Sequence, residues 1–426
     1  MNTILAVTGK LDVVHHVLVT LAAVLVVGWL LGKAMRFVGQ PAVIGEITAG
    51  ILLGPSLLGA VSPETLHLLI PPPSIDPNGQ VPAALKAVSQ LGLVLYMFLV
   101  GLELNTKKLA SQARTATAVS FAAVTVPFVL GAVLAFGLYR DYGTASHDVI
   151  GFALFLGAAT SITAFPVLAR ILTDRGMEAT ALGTLALGCA AADDVIAWCL
   201  LALILGFSQS NPMQAAVVIF GVAAFIGFMF LVVKPAAGRL LRNRTADETP
   251  TWFAPVIYLG ILLAALATEG LGIHAVFGAF LFGVVLPKNS PTLANLAGRM
   301  RDPVMVLLLP AFFAVTGLRT QILLIDDVQD WLWCAAVIAA ASAGKFGATY
   351  AAARLTGMDR RDAGALGALM NTRGLMELIV LNIGLDLGII GETLFAMMVV
   401  MALVTTAATA PLLALFLRPL PDESSE

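Results

Sequence analysis

Long apolar stretches, rather than alternation of apolar and polar residues, organise this chain. Segments 13–35, 41–58, 83–102, 115–138, 148–170, 179–207, 213–234, 252–269, 273–287, 303–318, 331–354, 363–385 and 391–417 run almost without charge. A helix needs about 20 such residues to cross the hydrocarbon of a bilayer. The pattern predicts an all-α polytopic membrane protein with about 13 transmembrane helices. The ninth segment is short, and the glycines at 270 and 272 beside it read as a tight turn or a helix break. Basic residues between the spans set the orientation. With the N-terminus outside, eighteen of the 24 Lys and Arg fall on the inner side, four on the outer side and two within spans. This predicts an outer N-terminus and a cytoplasmic C-terminus in a plasma or inner membrane.

The spans also repeat. "VIGEITAGILLGP" in the second matches "VFGAFLFGVVLPK" in the ninth, aligning Val43, Gly45, Gly50 and Leu53 with Val276, Gly278, Gly283 and Leu286. Gly101-Leu102 in the third aligns with Gly317-Leu318 in the tenth, and Gly157-Ala158 in the fifth with Gly367-Ala368 in the twelfth. Each partner lies seven spans later, and an odd shift inverts the repeat in the membrane. The expected organisation is one transporter domain over 1–418. Its first repeat covers about 13–207, a linker helix about 213–234 and a second repeat about 252–417, with a short cytoplasmic tail at 419–426.

Composition agrees and excludes alternatives. The chain is 59% hydrophobic and 12% charged, about half the charged share of an ordinary globular domain. Cys189, Cys199 and Cys334 lie in apolar segments without metal-like spacing. There is no metal motif, phosphate loop or nucleic-acid signature, and no His at depth beside a Ser for hydrolysis. Neither an enzyme nor a bound cofactor is expected. The first apolar segment reads as a span and not as a cleaved leader.

Polar residues at membrane depth carry the chemistry, because each is costly there. The fifth segment contains "ATSITAFPVL", with Thr160, Ser161 and Thr163 ahead of Pro166. Pro166 has no N–H and clashes with the carbonyl of residue 162, so the helix opens there. The freed carbonyls and hydroxyls are either ligands for a dehydrated cation or a kink whose hydroxyls bond back to their own helix. The twelfth segment places Asn371, Thr372, Arg373 and Glu377 at similar depth. Arg373 either offsets helix C-terminal ends or simply pairs with Glu377 four residues on. The sixth segment holds Asp193 and Asp194. Neighbours on a helix point about 100° apart, so the two acids cannot share one task. Lys345, mid-way along the eleventh segment among small residues, is the expected counter-charge for one of them. The other is then left to exchange a proton for a cation. Glu46, Glu103 and Glu269 are secondary acids, the last two near span ends where they cap or pair. His274 opens a span and reads as interfacial.

"SITAFPVLARIL", "AADDVIAW", "GIHAVFGAFLFGVVLP" and "NTRGLMELIVLNIG" together resemble the monovalent cation:proton antiporter-2 family, its plant-type exchanger branch in particular, over 41–417. The resemblance implies inverted repeats with two crossing discontinuous helices, a homodimer in the lipid bilayer, and an elevator movement of a transport domain. It implies an alkali cation, Na⁺ or K⁺, held at Asp194. Asp193 and Lys345 would then be the neighbouring acid and lysine, and Thr160, Ser161 and Thr163 the broken-helix motif. A sodium-coupled organic-anion symporter of related architecture is the alternative expectation.

Overall fold

The computed structural model describes residues 12–104, 106–144, 148–208, 212–241, 251–318, 325 and 327–417. The expected tail at 419–426 lies outside the described residues. In chain order the long or span-forming helices are Val13–Phe37, Ala42–Leu53, Gln80–Glu103, Ala113–Tyr142, Val149–Ser161, Phe165–Asp174, Ala181–Ser208, Pro212–Phe228, Phe253–Gly270, Ala275–Val285, Pro291–Pro303, Leu309–Gly317, Val328–Leu355, Arg360–Met370, Leu375–Asp386 and Glu392–Phe416. Among the described residues, pairing of extended chain is confined to one isolated bridge between Gly143 and Ile390. Ten helices there are long and apolar enough to cross a membrane. The expected spans at 273–287, 303–318 and 363–385 fall on shorter or interrupted helices.

The interruptions have local causes. Single π turns occupy Met229–Val233 and Val304–Leu308. Pro235 and Pro310 follow them, and each proline withholds one hydrogen bond while its ring clashes with the carbonyl four residues back, inside the π turn. In the fifth segment the helix stops at Ser161, passes through an extended Ile162 and restarts at Phe165. Pro166 sits in the first turn of the second half, where its missing N–H would have had no helical partner anyway. The twelfth segment stops at Met370 and restarts at Leu375. Under the alignment of Gly157 with Gly367, the unwound residues 162–164 and 372–374 are equivalent positions.

The described chain divides into two compact units. One comprises Met1–Val38, Ala42–Leu93 and Asp302–Gln321; the other comprises Gly39–Pro41, Val94–Arg301 and Ile322–Glu426. In the first, the helices Ala42–Leu53 and Leu309–Gly317 touch backbone to backbone. A side chain at Gly50 would strike the Ala314 carbonyl, and one at Gly317 would lie 2.5 Å from the Ile47 carbonyl. In the second, Gln80–Glu103 and Ala275–Val285 do the same. A side chain at Gly101 would strike the Phe280 carbonyl, and one at Gly283 the Phe98 carbonyl. The repeat register converts Gly50, Ile47, Ala314 and Gly317 into Gly283, Phe280, Phe98 and Gly101. The same close contact is therefore built twice. Small residues permit it where hydrocarbon gives no hydrophobic drive for helices to associate.

Glycines at these contacts and glycines in open space should behave differently. Gly101→Val and Gly317→Val are expected to lose about 1–3 kcal/mol or more, the cost of overpacking a close contact, visible as a lower midpoint of thermal unfolding in detergent. Gly227→Ala, with nothing within 4 Å of the added methyl, should leave the midpoint unchanged. Equal tolerance at all three positions would mean that these helices do not hold the contact.

Candidate ion-binding site

Both broken helices belong to the second unit, and their breaks are stitched together. The Ala164 amide donates to the Thr372 carbonyl at 3.0 Å. A methyl added at Gly374 would come within 2.8 Å of Val167, so the second break also lies close against the first turn of Phe165–Asp174. Helix ends buried in hydrocarbon leave carbonyls without partners and a partial negative charge at the C-terminus. Two buried cations answer this at the end of Val149–Ser161. Lys345 donates to the Ser161 carbonyl at 2.5 Å. Arg373 donates to the carbonyls of Thr160 at 2.5 Å, Ile162 at 3.4 Å and Ala159 at 3.5 Å. It also reaches the Ala341 carbonyl at 3.5 Å, which ties the break to the lysine helix Val328–Leu355. Arg373 lies 3.9 Å from Glu377, and Glu377 sits in the first turn of Leu375–Asp386, where a negative charge meets the positive helix end.

Thr406 holds the second break in place. Its hydroxyl accepts from the Arg373 amide at 3.0 Å and donates to the Arg373 carbonyl at 2.5 Å. Thr372 and Thr409 share a hydrogen bond at 3.3 Å. Nothing in the periodicity of residues 392–416 singles out Thr406 or Thr409. Their role follows from packing against a distant break.

Asp193 and Asp194, on Ala181–Ser208, face different surroundings. Asp193 is fully buried, and one carboxylate oxygen takes hydrogen bonds from Lys345 at 2.9 Å and from Thr163 at 2.7 Å. Lys345 is thus shared between an acid and a helix-end carbonyl. Asp194 is 5% exposed, and its Oδ1 has no hydrogen-bond partner. It lines a small pocket with Phe165, Ile273, His274 and Phe277. The free volume there is about 10 Å³, the lower limit for a single water, roughly 10–15 Å³. His274, expected at an interface, is instead buried at this pocket. Its Nδ1 accepts from the Val276 amide at 3.4 Å and so starts the helix Ala275–Val285. The sequence signal for it was weak: a lone His before an apolar run.

Of the other expected residues, Thr160 and Ser161 turn their hydroxyls onto carbonyls of their own helix, Leu156 at 2.9 Å and Ala158 at 2.8 Å. Asn371 is buried beside the second break, with its Oδ1 unpartnered. Glu103 pairs with Arg301, and Glu269 accepts from the Ala275 amide at 2.9 Å. Glu46 is buried in the first unit. The structure therefore brings together Asp193, Asp194, Lys345, Thr160, Ser161, Thr163, Pro166, Asn371, Thr372, Arg373 and Glu377, while Glu103 and Glu269 cap or pair at helix ends.

The charge pairing predicts a coupling between residues 152 positions apart. Lys345→Met leaves the Asp193 carboxylate buried alone and should cost about 3–5 kcal/mol. Adding Asp193→Asn should recover most of that loss. Thermal unfolding of the two single variants and the double variant measures it. A double variant no more stable than Lys345→Met would show that the pair is not the coupled unit.

The family model described as "Sodium/hydrogen exchanger, transmembrane" matches residues 21–417. The Na(+)/H(+) antiporter NhaS4 of Synechocystis is 44% identical over 90% of this chain and 92% of its own length. Cation/H(+) antiporter 17 of Arabidopsis thaliana is 39% identical over 93% of this chain, and K(+)/H(+) antiporter 1 of Saccharomyces cerevisiae 32% identical over 88%. This chain spans 48% and 43% of those two proteins. The structure of the sodium proton antiporter MjNhaP1 from Methanocaldococcus jannaschii superposes with a TM-score of 0.64 at 14% identity, covering 93% of this chain and 95% of that one, so the fold is shared. An apolar helical architecture, two stitched helix breaks and a family match over nearly the whole chain lead to one conclusion: this integral membrane protein belongs to the sodium/hydrogen exchanger family.

Proposed function

We propose that the protein exchanges a monovalent cation, Na⁺ or K⁺, for protons across the membrane. The observation that carries this reading is the unequal treatment of two adjacent acids. Asp193 is neutralised by Lys345 and Thr163, whereas Asp194 keeps an unpartnered oxygen in a closed pocket. Asp194 carries the proton and the alkali cation in turn. Since both compete for one carboxylate, that competition is enough to couple their movements. A hydroxyl that donates its proton keeps its lone pairs, so Thr160 and Ser161, bonded to carbonyls, and Thr163, bonded to Asp193, remain available as neutral ligands. The names of the relatives support the cation class and give no support to an organic-anion symporter. The reading extends to a homodimer with its N-terminus outside. In it, the module holding both broken helices moves as a body, elevator fashion, and its stitched breaks favour displacement in one piece.

The test is exchange in proteoliposomes, with internal pH followed as Li⁺, Na⁺, K⁺ and Rb⁺ are added in turn. Asp194→Asn should abolish cation-driven proton movement while the protein still folds; near-normal exchange would overturn the assignment. The half-saturating cation concentration should rise as pH falls from about 8.5 to 6, because protons then occupy the shared carboxylate. A flat dependence would remove the shared site. If cation entry displaces Lys345 and releases its proton, two protons leave per cation and exchange responds to membrane potential. Lys345→Gln should then retain only exchange that ignores the potential. Wild-type exchange indifferent to an imposed potential would reduce Lys345 to a structural counter-ion.

A further inference from the structure

Within the second unit lies a larger pocket of about 810 Å³, whose described lining includes neither Asp193 nor Asp194. Its volume falls in the range of ligand sites, roughly 300–1,000 Å³. Small residues create the space, among them Ala110, Ala113, Ala116, Gly188 and Ala192. The wall is apolar, and among the described residues that line it there is no carboxylate. Two exposed lysines, Lys107 and Lys234, also line it. A passage for cations would not carry ammonium groups without acids, because they repel the ion. Phe121, 69% exposed, and Phe230, 38% exposed, belong to the same lining, so the pocket opens on exposed apolar surface. The Lys234 ammonium stands 5.2 Å over the Phe230 ring, which puts positive charge beside that opening. A third ammonium, Lys288, donates to the Gly101 carbonyl at 2.6 Å. Outside that lining, it is held down to about 7 by burial and by the neighbouring Lys234 charge.

We propose that the pocket holds one anionic phospholipid, an acyl chain against the alanine-lined wall and the phosphate between Lys107 and Lys234. Chain and headgroup chemistry fit the two parts of the site separately. Basic pockets between membrane helices attract such headgroups. The proposal does not depend on which ion is transported.

The experiment uses the full chain, purified in mild detergent and delipidated. It is titrated with phosphatidylglycerol, phosphatidylcholine or free oleate, and single-lipid adducts are followed by native mass spectrometry. Wild type should bind the first phosphatidylglycerol roughly tenfold more tightly than phosphatidylcholine, as two charge contacts would give. Lys107→Gln with Lys234→Gln should erase that preference while leaving the weaker phosphatidylcholine adduct. Ala113→Trp, at an exposed helix start, should block the tight adduct, with Ala116→Leu as the second filling variant should the first fail to fold. Retention of the tight adduct in a folded filling variant overturns the proposal. So does a wild type that shows no headgroup preference. Oleate displacing phosphatidylglycerol at equal concentration would overturn it in favour of a detached fatty acid.

Discussion

One ammonium group holds the candidate site together. Lys345 donates both to the carbonyl that ends the first half-helix and to the carboxylate of Asp193. Each partner alone would be costly at membrane depth: an open helix end leaves carbonyls without donors, and a buried acid leaves a charge without a counter-charge. Shared, the lysine answers both. Arg373 does the same work from the other break, placing its guanidinium on three carbonyls of residues 159–162 while its own backbone is held by Thr406. Remove either cation and carbonyls at the end of Val149–Ser161 lose a donor.

This arrangement decides what the adjacent acids can do. Because consecutive residues on a helix diverge by about 100°, satisfying Asp193 with Lys345 and Thr163 turns Asp194 toward the helix Ala275–Val285. There it meets aromatic rings and His274 instead of a cation. A carboxylate with a free oxygen in so tight a pocket suits a small, dehydrated ion better than a bulky substrate.

The internal repeat reaches further than sequence similarity suggests. The register that aligns Gly50 with Gly283 and Gly101 with Gly317 reproduces the same glycine-to-carbonyl contact once in each unit. A second register places the two helix breaks at equivalent residues. The halves then diverge in chemistry. The first break is followed by Pro166, whose ring forbids a continuous helix; the second holds Arg373 and Gly374 ahead of the restart at Leu375, and at Gly374 neighbouring Val167 leaves little room for a side chain.

Most of the spans, their order, the repeat and the break before Pro166 were legible in the chain because they arise from local rules, whereas the second break was expected only through the repeat and the resemblance. Hydrocarbon demands unbroken apolar runs, and a proline cannot continue a helix through its own missing hydrogen bond. The burial of two adjacent acids was also legible, since charges at membrane depth are costly and stand out in an apolar segment. What the chain could not show is where long side chains reach. Lys345 and Asp193 lie 152 positions apart, and no periodicity selects Asp193 over Asp194 as the partner. The same holds for Thr406 on Arg373, and for His274, which local pattern placed at an interface and packing placed beside Asp194. Sequence by itself determined which groups must be buried and where a helix must break. Tertiary structure decided which buried group answers which, because hydrogen bonds and ion pairs depend on distances of a few ångströms between segments that only the fold brings together.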